Sequence, residues 1–146
     1  MKKCIVAGGI LIEGEKVLLI KHKKLNKWLY PGGHVEVNET PREAAEREFQ
    51  EETGIKVKVI GDKFDTMDPL VSPEPMPLTI SMETVNYPNE IHYHYDLIFL
   101  VEKVGGDLLD GSWFSCEDLD KIDTYENVRK ILRLAFQKRK EGKKVN

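Results

Sequence analysis

The chain has 146 residues, enough for a single domain that buries a hydrophobic core without disulfides. With 40% hydrophobic and 32% charged residues, its composition excludes a disordered or fibrous protein. The formal net charge of −3 argues against a stable complex with nucleic acid, which needs a basic surface.

The two cysteines, Cys4 and Cys116, lie far apart, each within an apolar stretch and neither in a CxxC pair. This spacing argues against a zinc knuckle or a redox motif. We therefore expect two buried thiols in a reducing compartment. No apolar run approaches the length of a membrane span, so we expect a cytoplasmic protein without a membrane partner.

Runs rich in β-branched and aromatic residues predict a set of strands. These runs cover residues 5–12, 17–22, 55–60, 78–87 and 93–101. The first two are joined by the polar segment 13–16, which predicts a hairpin. Segment 65–77 holds four prolines and cannot be regular structure, which makes it a candidate substrate lid or a candidate contact in a homodimer.

Two helices are predicted. The first has Thr40 as N-cap, Pro41 at the first helical position and Glu43 three residues after the cap, which is a capping box. It ends at Gly54, a C-terminal stop signal. The second covers roughly residues 125–140, and its basic residues predict a solvated face, with phosphate contacts as the alternative. Mixed strands with two well-separated helices indicate one α+β domain over residues 1–146.

The first helix directs carboxylates toward the protein. At about 100° per residue, Glu48, Glu51 and Glu52 fall on the side of Ala45 and Phe49. The opposite side carries Arg42, Glu43, Glu46, Arg47, Gln50 and Thr53. Half-buried carboxylates are unfavourable unless they are paired or bind a metal, and Mg²⁺ prefers carboxylate oxygens. An ordinary acidic face is the alternative, but the position of the acids on the apolar side favours a metal site.

Two features flank this acidic side. Arg47 is four residues from both Glu43 and Glu51, so it can pair with either and orient a metal-binding carboxylate, or form only a surface ion pair. The Pro31-Gly32-Gly33 turn allows the backbone to approach a ligand, and a free carbonyl there could complete a metal site.

A longer pattern spans residues 33–55. Its fixed positions are Gly33, Glu39, Arg47, Glu48, Glu51, Glu52 and Gly54. This pattern resembles the Nudix box: a glycine, five residues, a glutamate, seven residues, then Arg-Glu-apolar-any-Glu-Glu-any-Gly-apolar. The resemblance implies an α/β/α sandwich with a central mixed sheet, bound Mg²⁺ or Mn²⁺, and hydrolysis of a nucleoside diphosphate linked to another moiety.

The resemblance also implies residue roles. Glu48, Glu51 and Glu52 would be the metal ligands, assisted by the Gly32 carbonyl. Arg47 would orient a glutamate. Gly33 would shape the loop, Glu39 would support it and Gly54 would end the helix. Glu51 is the first candidate for the general base, and Glu90, near the turn between the last two predicted strands, is the second.

Substrate contacts are less specific in the sequence. His92, His94 and Asp96 alternate along a strand and so share one face, where the histidines could touch phosphate or metal. The alternative, a polar sheet face, is favoured. Trp28 could stack on a base, although packing beneath the glycine turn is favoured.

The favoured function is metal-dependent hydrolysis of a nucleotide sugar such as ADP-ribose. The alternative substrate is a nucleoside triphosphate, including an oxidised one. A non-catalytic nucleotide-sensing module is the alternative of another class, but its expected signature is a damaged box, and this box is complete. In each case the partner is a small nucleotide.

Overall fold

The computed structural model describes residues 2–145. Eight strands are present in this part of the chain: β1 Lys2–Glu13, β2 Lys16–Lys21, β3 Trp28–Leu29, β4 Gly32–His34, β5 Ile55–Ile60, β6 Thr79–Tyr87, β7 Glu90–Gly106 and β8 Ser112–Ser115. Two α-helices accompany them, α1 Pro41–Thr53 and α2 Glu126–Val145, with a short 3₁₀-helix at Glu117–Asp120.

The sheet is built around β1 and β7, which run parallel from Lys2 opposite His92 to Leu11 opposite Val101. On the far side of β7, β6 pairs with its first half and β5 with its second half, both antiparallel. On the other side, the middle of β1 pairs with β4, and its end pairs with β2, which also pairs with β3 and β8. This mixed pairing matches the predicted central sheet.

Each helix covers one side of the sheet. The side under α1 is filled by Ala44, Ala45 and Phe49, packed against Ala7, Leu11, Val57, Val59, Phe99 and Val101. On the other side, α2 contributes Val128, Leu132, Ala135 and Phe136, packed against Ile10, Ile12, Val17, Leu19, Ile98 and Leu119. The predicted α/β/α sandwich is therefore confirmed. Neither α-helix in residues 2–145 is both long and apolar enough to span a membrane.

The structure differs from the sequence predictions in several respects, including a longer β1 and a longer α2. β7 runs from Glu90 to Gly106, well beyond the predicted 93–101, because it pairs with β6 along one half and with β5 along the other. The 3₁₀-helix was not predicted from the sequence. The prediction of two buried thiols is wrong: Cys4 is half-buried near the start of β1, and Cys116 is exposed where the chain leaves β8.

Both ends of α1 have the predicted caps. The Thr40 hydroxyl accepts the Glu43 N–H at 3.1 Å, and the Glu43 carboxylate accepts the Thr40 N–H at 3.0 Å, which completes the capping box. Gly54 adopts the left-handed conformation with φ of 85° and donates its N–H to the Gln50 carbonyl. An added Cβ there would collide with the Asp107 carbonyl oxygen. Gly54 thus allows a sharp turn from α1 into β5.

We expect Gly54→Ala to lower the free energy of unfolding by about 2–4 kcal/mol, since it combines a strained φ with a steric collision. Gly14→Ala is the matched control: φ is 54° at Gly14, but nothing lies within 4 Å of an added Cβ. It should therefore cost only about 1 kcal/mol. Urea unfolding of the two variants measures the difference. Equal losses would contradict a steric role for Gly54.

Candidate active site

The half-buried carboxylate of Glu52 joins α1 to β4. Its Oε2 accepts the backbone N–H of Gly32 at 2.8 Å. Burial raises the pKa of Glu52 to about 7, with further contributions from the charges of Glu48 and Glu51, and the Gly32 hydrogen bond opposes this rise. Among residues 2–145, no Lys, Arg or His forms an ion pair with Glu52. The helix therefore presents a carboxylate that the protein itself leaves without a positive partner.

Arg47 forms hydrogen bonds with three carboxylates of the Nudix box. Its guanidinium donates two hydrogen bonds to Glu39, at 2.7 and 3.0 Å, and these lower the pKa of Glu39. It also donates to Glu48 at 2.9 Å and to Glu51 at 3.2 Å. Of the two partners that helical spacing allowed, Glu51 is contacted, whereas Glu43 belongs to the capping box.

The glycine strand β4 is shaped by close approach. A Cβ added to Gly33 would lie 2.6 Å from Cδ of Glu48, and one added to Gly32 would lie 2.7 Å from the Ala7 carbonyl oxygen. Gly32 lies opposite Gly8 in the antiparallel pairing of β4 with β1. The flanking bonds, Gly9 N–H to the Pro31 carbonyl and Val35 N–H to the Ile5 carbonyl, place Gly32 at a non-hydrogen-bonded position of this ladder. Its backbone groups therefore point away from β1, and its carbonyl accepts no hydrogen bond from residues 2–145.

These groups fit a hard divalent cation. Three carboxylates that repel one another come together here, those of Glu48, Glu51 and Glu52. Arg47 neutralises only part of their charge. Carboxylate and carbonyl oxygens are the ligands that Mg²⁺ and similar ions take. Glu51 departs from the predicted inward side, because 58% of its side chain is exposed. It lies at the rim of the site rather than in its floor.

A cleft of about 230 Å³ opens beside this helix and loop. Gly32, Gly33 and Glu52 line it together with Tyr30, Glu83 and Asp96, while Val6, Ile20, Leu29 and Val128 supply apolar surface. Burial raises the pKa of Asp96 to about 6, and the charge of Glu83 adds to this rise. Burial and the charge of Asp96 also raise the pKa of Tyr30. The acidic pair Glu83 and Asp96 therefore lines the same cleft as Glu52 of α1.

Comparison with known proteins agrees with this geometry. The family model for the NUDIX domain matches residues 2–135, most of the chain. The chain belongs to the Nudix hydrolase family.

Individual Nudix relatives extend this result. A probable DHNTP pyrophosphohydrolase of Lactococcus lactis is 34% identical over 84% of this chain and 72% of that protein. An ADP-ribose pyrophosphatase of Methanocaldococcus jannaschii is 28% identical over 93% of this chain and 69% of that protein. A solved NUDIX-family hydrolase from Clostridium perfringens has a TM-score of 0.73 at 29% identity, covering 92% and 99% of the two chains. The predicted enzyme class, a Nudix pyrophosphohydrolase, is confirmed.

The predicted substrate contacts lie outside the Nudix cleft. Trp28 packs edge-to-face on Phe114, with 4.9 Å between ring centroids. Nε2 of His92 lies 2.9 Å from Oε2 of Glu90, and the ring of His94 lies beside that of His34. Of the three alternating residues on β7, the cleft includes Asp96 alone. Contacts of Trp28, His92 and His94 with substrate remain predictions.

Two further residues differ from their predicted positions. Glu90, the second candidate base, begins β7 six residues before Asp96, which places it roughly 20 Å along the strand from the cleft. Thr53, predicted on the polar side of α1, is fully buried. Its hydroxyl donates to the Phe49 carbonyl and accepts the Ile55 N–H, so this polar side chain is satisfied at the helix end.

Sequence reasoning missed Tyr30, Glu83 and Asp96 as a group. Asp96 was named only as a member of the alternating set, and the other two carried no motif. The approach of Glu83 to Asp96 depends on the antiparallel pairing of β6 with β7, which sets Ser81 opposite Asp96 and Glu83 opposite His94. Strand register of this kind is a long-range property that no local spacing reveals.

We expect Glu52→Gln to abolish hydrolysis, because a neutral amide can still accept the Gly32 N–H but cannot serve as an anionic metal ligand. The metal-free variant should also be more stable than wild type at neutral pH. The folded protein keeps the Glu52 proton up to about pH 7, whereas the unfolded chain releases it near pH 4.3. Stability of the metal-free wild type therefore falls as pH rises between these values.

Urea unfolding in EDTA at pH 4 and pH 8 tests this expectation. The stability gain of Glu52→Gln should be near zero at pH 4 and about 1–2 kcal/mol at pH 8, allowing for solvent screening of a partly exposed group. Activity within tenfold of wild type, or a gain that is independent of pH, would show that Glu52 does not have the assigned role.

Proposed function

We propose that this Nudix hydrolase uses Mg²⁺, or Mn²⁺, to split a nucleoside triphosphate into a monophosphate and pyrophosphate. The proposal rests on one observation, the acidic pair Glu83 and Asp96 in a cleft that also includes Glu52. The cleft volume of about 230 Å³ suits a single base and its sugar beside the carboxylate helix. The Lactococcus lactis relative is named a probable DHNTP pyrophosphohydrolase.

The acidic pair favours a base that donates hydrogen bonds. Above its pKa of about 6, Asp96 is an ionised acceptor. Guanine presents two adjacent donors, its N1–H and its 2-amino group, which a carboxylate can accept together. Adenine offers one donor beside an unprotonated ring nitrogen, which an ionised carboxylate repels. We therefore propose a guanine-like base, including an oxidised guanine, with Tyr30 and the apolar residues packing against its ring.

The residues of the Nudix box would have different roles in hydrolysis. Glu48, Glu51, Glu52 and the Gly32 carbonyl would hold the metal, which when bound neutralises phosphate charge and lowers the pKa of a water. Glu51, the most exposed of the three glutamates, is best placed to accept a proton from the attacking water. Arg47 fixes Glu48 and Glu39 in position, and the Gly32 N–H fixes Glu52.

The sequence alone favours a nucleotide sugar, and one relative is named an ADP-ribose pyrophosphatase. We nevertheless place ADP-ribose second, because its adenine lacks the paired donors that Asp96 and Glu83 would accept. The two substrates also leave different products. A triphosphate would give a nucleoside monophosphate and pyrophosphate, whereas ADP-ribose would give AMP and ribose phosphate.

A substrate panel with saturating Mg²⁺ tests the proposal. GTP, dGTP, an oxidised dGTP, ATP and ADP-ribose are compared by kcat/KM, with Glu52→Gln and EDTA as blanks. We expect the guanine triphosphates to be hydrolysed most efficiently, with release of pyrophosphate. A higher kcat/KM for ADP-ribose than for every triphosphate would overturn the choice of substrate. Absence of turnover for the whole panel, with tight nucleotide binding, would point instead to a sensing module.

We expect Asp96→Asn to lower kcat/KM for guanine substrates roughly 10–100-fold, as loss of hydrogen bonds to a charged group does. ATP should be affected less. In the wild type, the preference for GTP over ATP should fall as pH is lowered through about 6, since Asp96 then becomes protonated. The preference of the variant should not change with pH. His92→Gln is the matched control, on the same strand face but outside the cleft. Equal effects of the two substitutions would contradict base recognition by Asp96.

A further inference from the structure

A second group of possible metal ligands lies on three neighbouring strands. Cys4 on β1 lies directly opposite His94 on the parallel strand β7. On the other side of β1, His34 of β4 lies opposite Val6, two residues beyond Cys4 and therefore on the same face. One ligand atom from each of the three side chains lies within 4.8 Å of the others. The histidine rings are nearly perpendicular, with 5.7 Å between centroids.

We propose that Cys4, His34 and His94 form a binding site for Zn²⁺ or a similar borderline-soft cation, separate from the carboxylate site. A thiolate and two imidazoles are typical zinc ligands, whereas Mg²⁺ selects oxygen. The three ligands of this site offer sulfur and nitrogen, whereas Glu48, Glu51, Glu52 and the Gly32 carbonyl offer only oxygen. The two sites therefore select different metals by ligand chemistry.

The geometry needs only a small contraction. Tetrahedral zinc with bonds of about 2.3 Å to sulfur and about 2.0–2.1 Å to nitrogen holds its ligand atoms roughly 3.3–3.6 Å apart. The present separation of up to 4.8 Å closes by rotation of side chains, of which His34 is exposed and the other two are half-buried. Within residues 2–145, no hydrogen bond or ion pair restrains any of these three side chains.

Three protein ligands leave a fourth position for water or another small ligand. A metal here would join β4 to β1 and β7. His34 directly follows Gly32 and Gly33, and its carbonyl accepts a hydrogen bond from Arg47 at 3.1 Å. The cation would thus anchor one end of the strand whose other end positions Glu52. We infer a structural role that stabilises the glycine strand.

Cobalt binding tests the site directly. The full-length protein is stripped with EDTA, reduced with a phosphine, and titrated with Co²⁺ in saturating Mg²⁺. Sulfur ligation gives a thiolate-to-cobalt charge-transfer absorption, which the carboxylate site cannot produce. We expect this band to saturate at one equivalent in the wild type and to disappear when Zn²⁺ is added. No band in the wild type would overturn the proposal.

Matched variants assign the ligands. Cys4→Ser should abolish the band, and His34→Gln or His94→Gln should weaken binding at least about tenfold, because even residues that only support a ligand contribute about 10–100-fold to metal affinity. Two control variants should bind cobalt as the wild type does: Cys116→Ser, which removes the other thiol, and His92→Gln, which changes a histidine two residues from His94. Loss of the band in Cys116→Ser, or its survival in Cys4→Ser, would also overturn the assignment.

Thermal unfolding gives a second measurement that does not depend on spectroscopy. Zn²⁺ at about a hundredfold excess over its Kd should raise Tm by roughly 5 °C or more in the wild type and in Cys116→Ser. The Tm of Cys4→Ser should not rise. Equal shifts in all three proteins would mean that zinc stabilises the fold from another place, and the proposed site would be rejected.

Discussion

The hydrogen bond from the Gly32 N–H to the Glu52 carboxylate is the contact on which the active site depends. It holds α1 against β4 at 2.8 Å, and it offsets part of the desolvation that raises the pKa of Glu52 to about 7. The rest of that desolvation is not offset by any ion pair in the described chain. In the metal-free protein the desolvation of Glu52 therefore costs free energy. Binding of a divalent cation would offset this cost. A Cβ on Gly33 would collide with the Glu48 carboxyl group on α1, and one on Gly32 would collide with the backbone of β1 at Ala7 and Gly8.

The carboxylates of residues 33–55 are positioned mainly by contacts within that segment, whereas the proposed base contacts lie outside it. Arg47 connects the helix to Glu39 in the loop and to the carbonyl of His34 on β4, so the acidic side of α1 is fixed by neighbours close in sequence. Glu83 and Asp96 come from two other strands, β6 and β7. This separation explains why the box predicts a reaction class, whereas the proposed choice of nucleotide rests on residues outside it.

The parts of the fold that the sequence predicted well are those set by local chemistry. The limits of α1 follow from a capping box and a left-handed glycine, and the inward turn of Glu52 follows from helical periodicity. Thr53 was misplaced because periodicity alone ignores the hydrogen bonds that bury a hydroxyl at a helix end. The meeting of Cys4, His34 and His94 could not be predicted, since it requires the parallel register of β1 with β7 and the antiparallel register of β4. Such pairing joins residues up to 90 positions apart in the sequence.

The charge of the cleft constrains the form in which a nucleotide can enter. Glu52, Glu83 and Asp96 line the cleft, and no Lys or Arg does so among the described residues. His22 also lines the cleft, but three carboxyl groups outnumber it, so the electrostatic free energy of a bare triphosphate there would be unfavourable. A triphosphate that carries divalent cations is instead attracted by the same carboxylates. The raised pKa values of Glu52 and Asp96 have a second consequence. A fraction of each carboxyl group is protonated near neutral pH, and a bound cation or hydrogen-bond donor would favour the ionised form. For the proposed triphosphate substrate, the charge of the cleft would therefore favour the metal complex over the free anion.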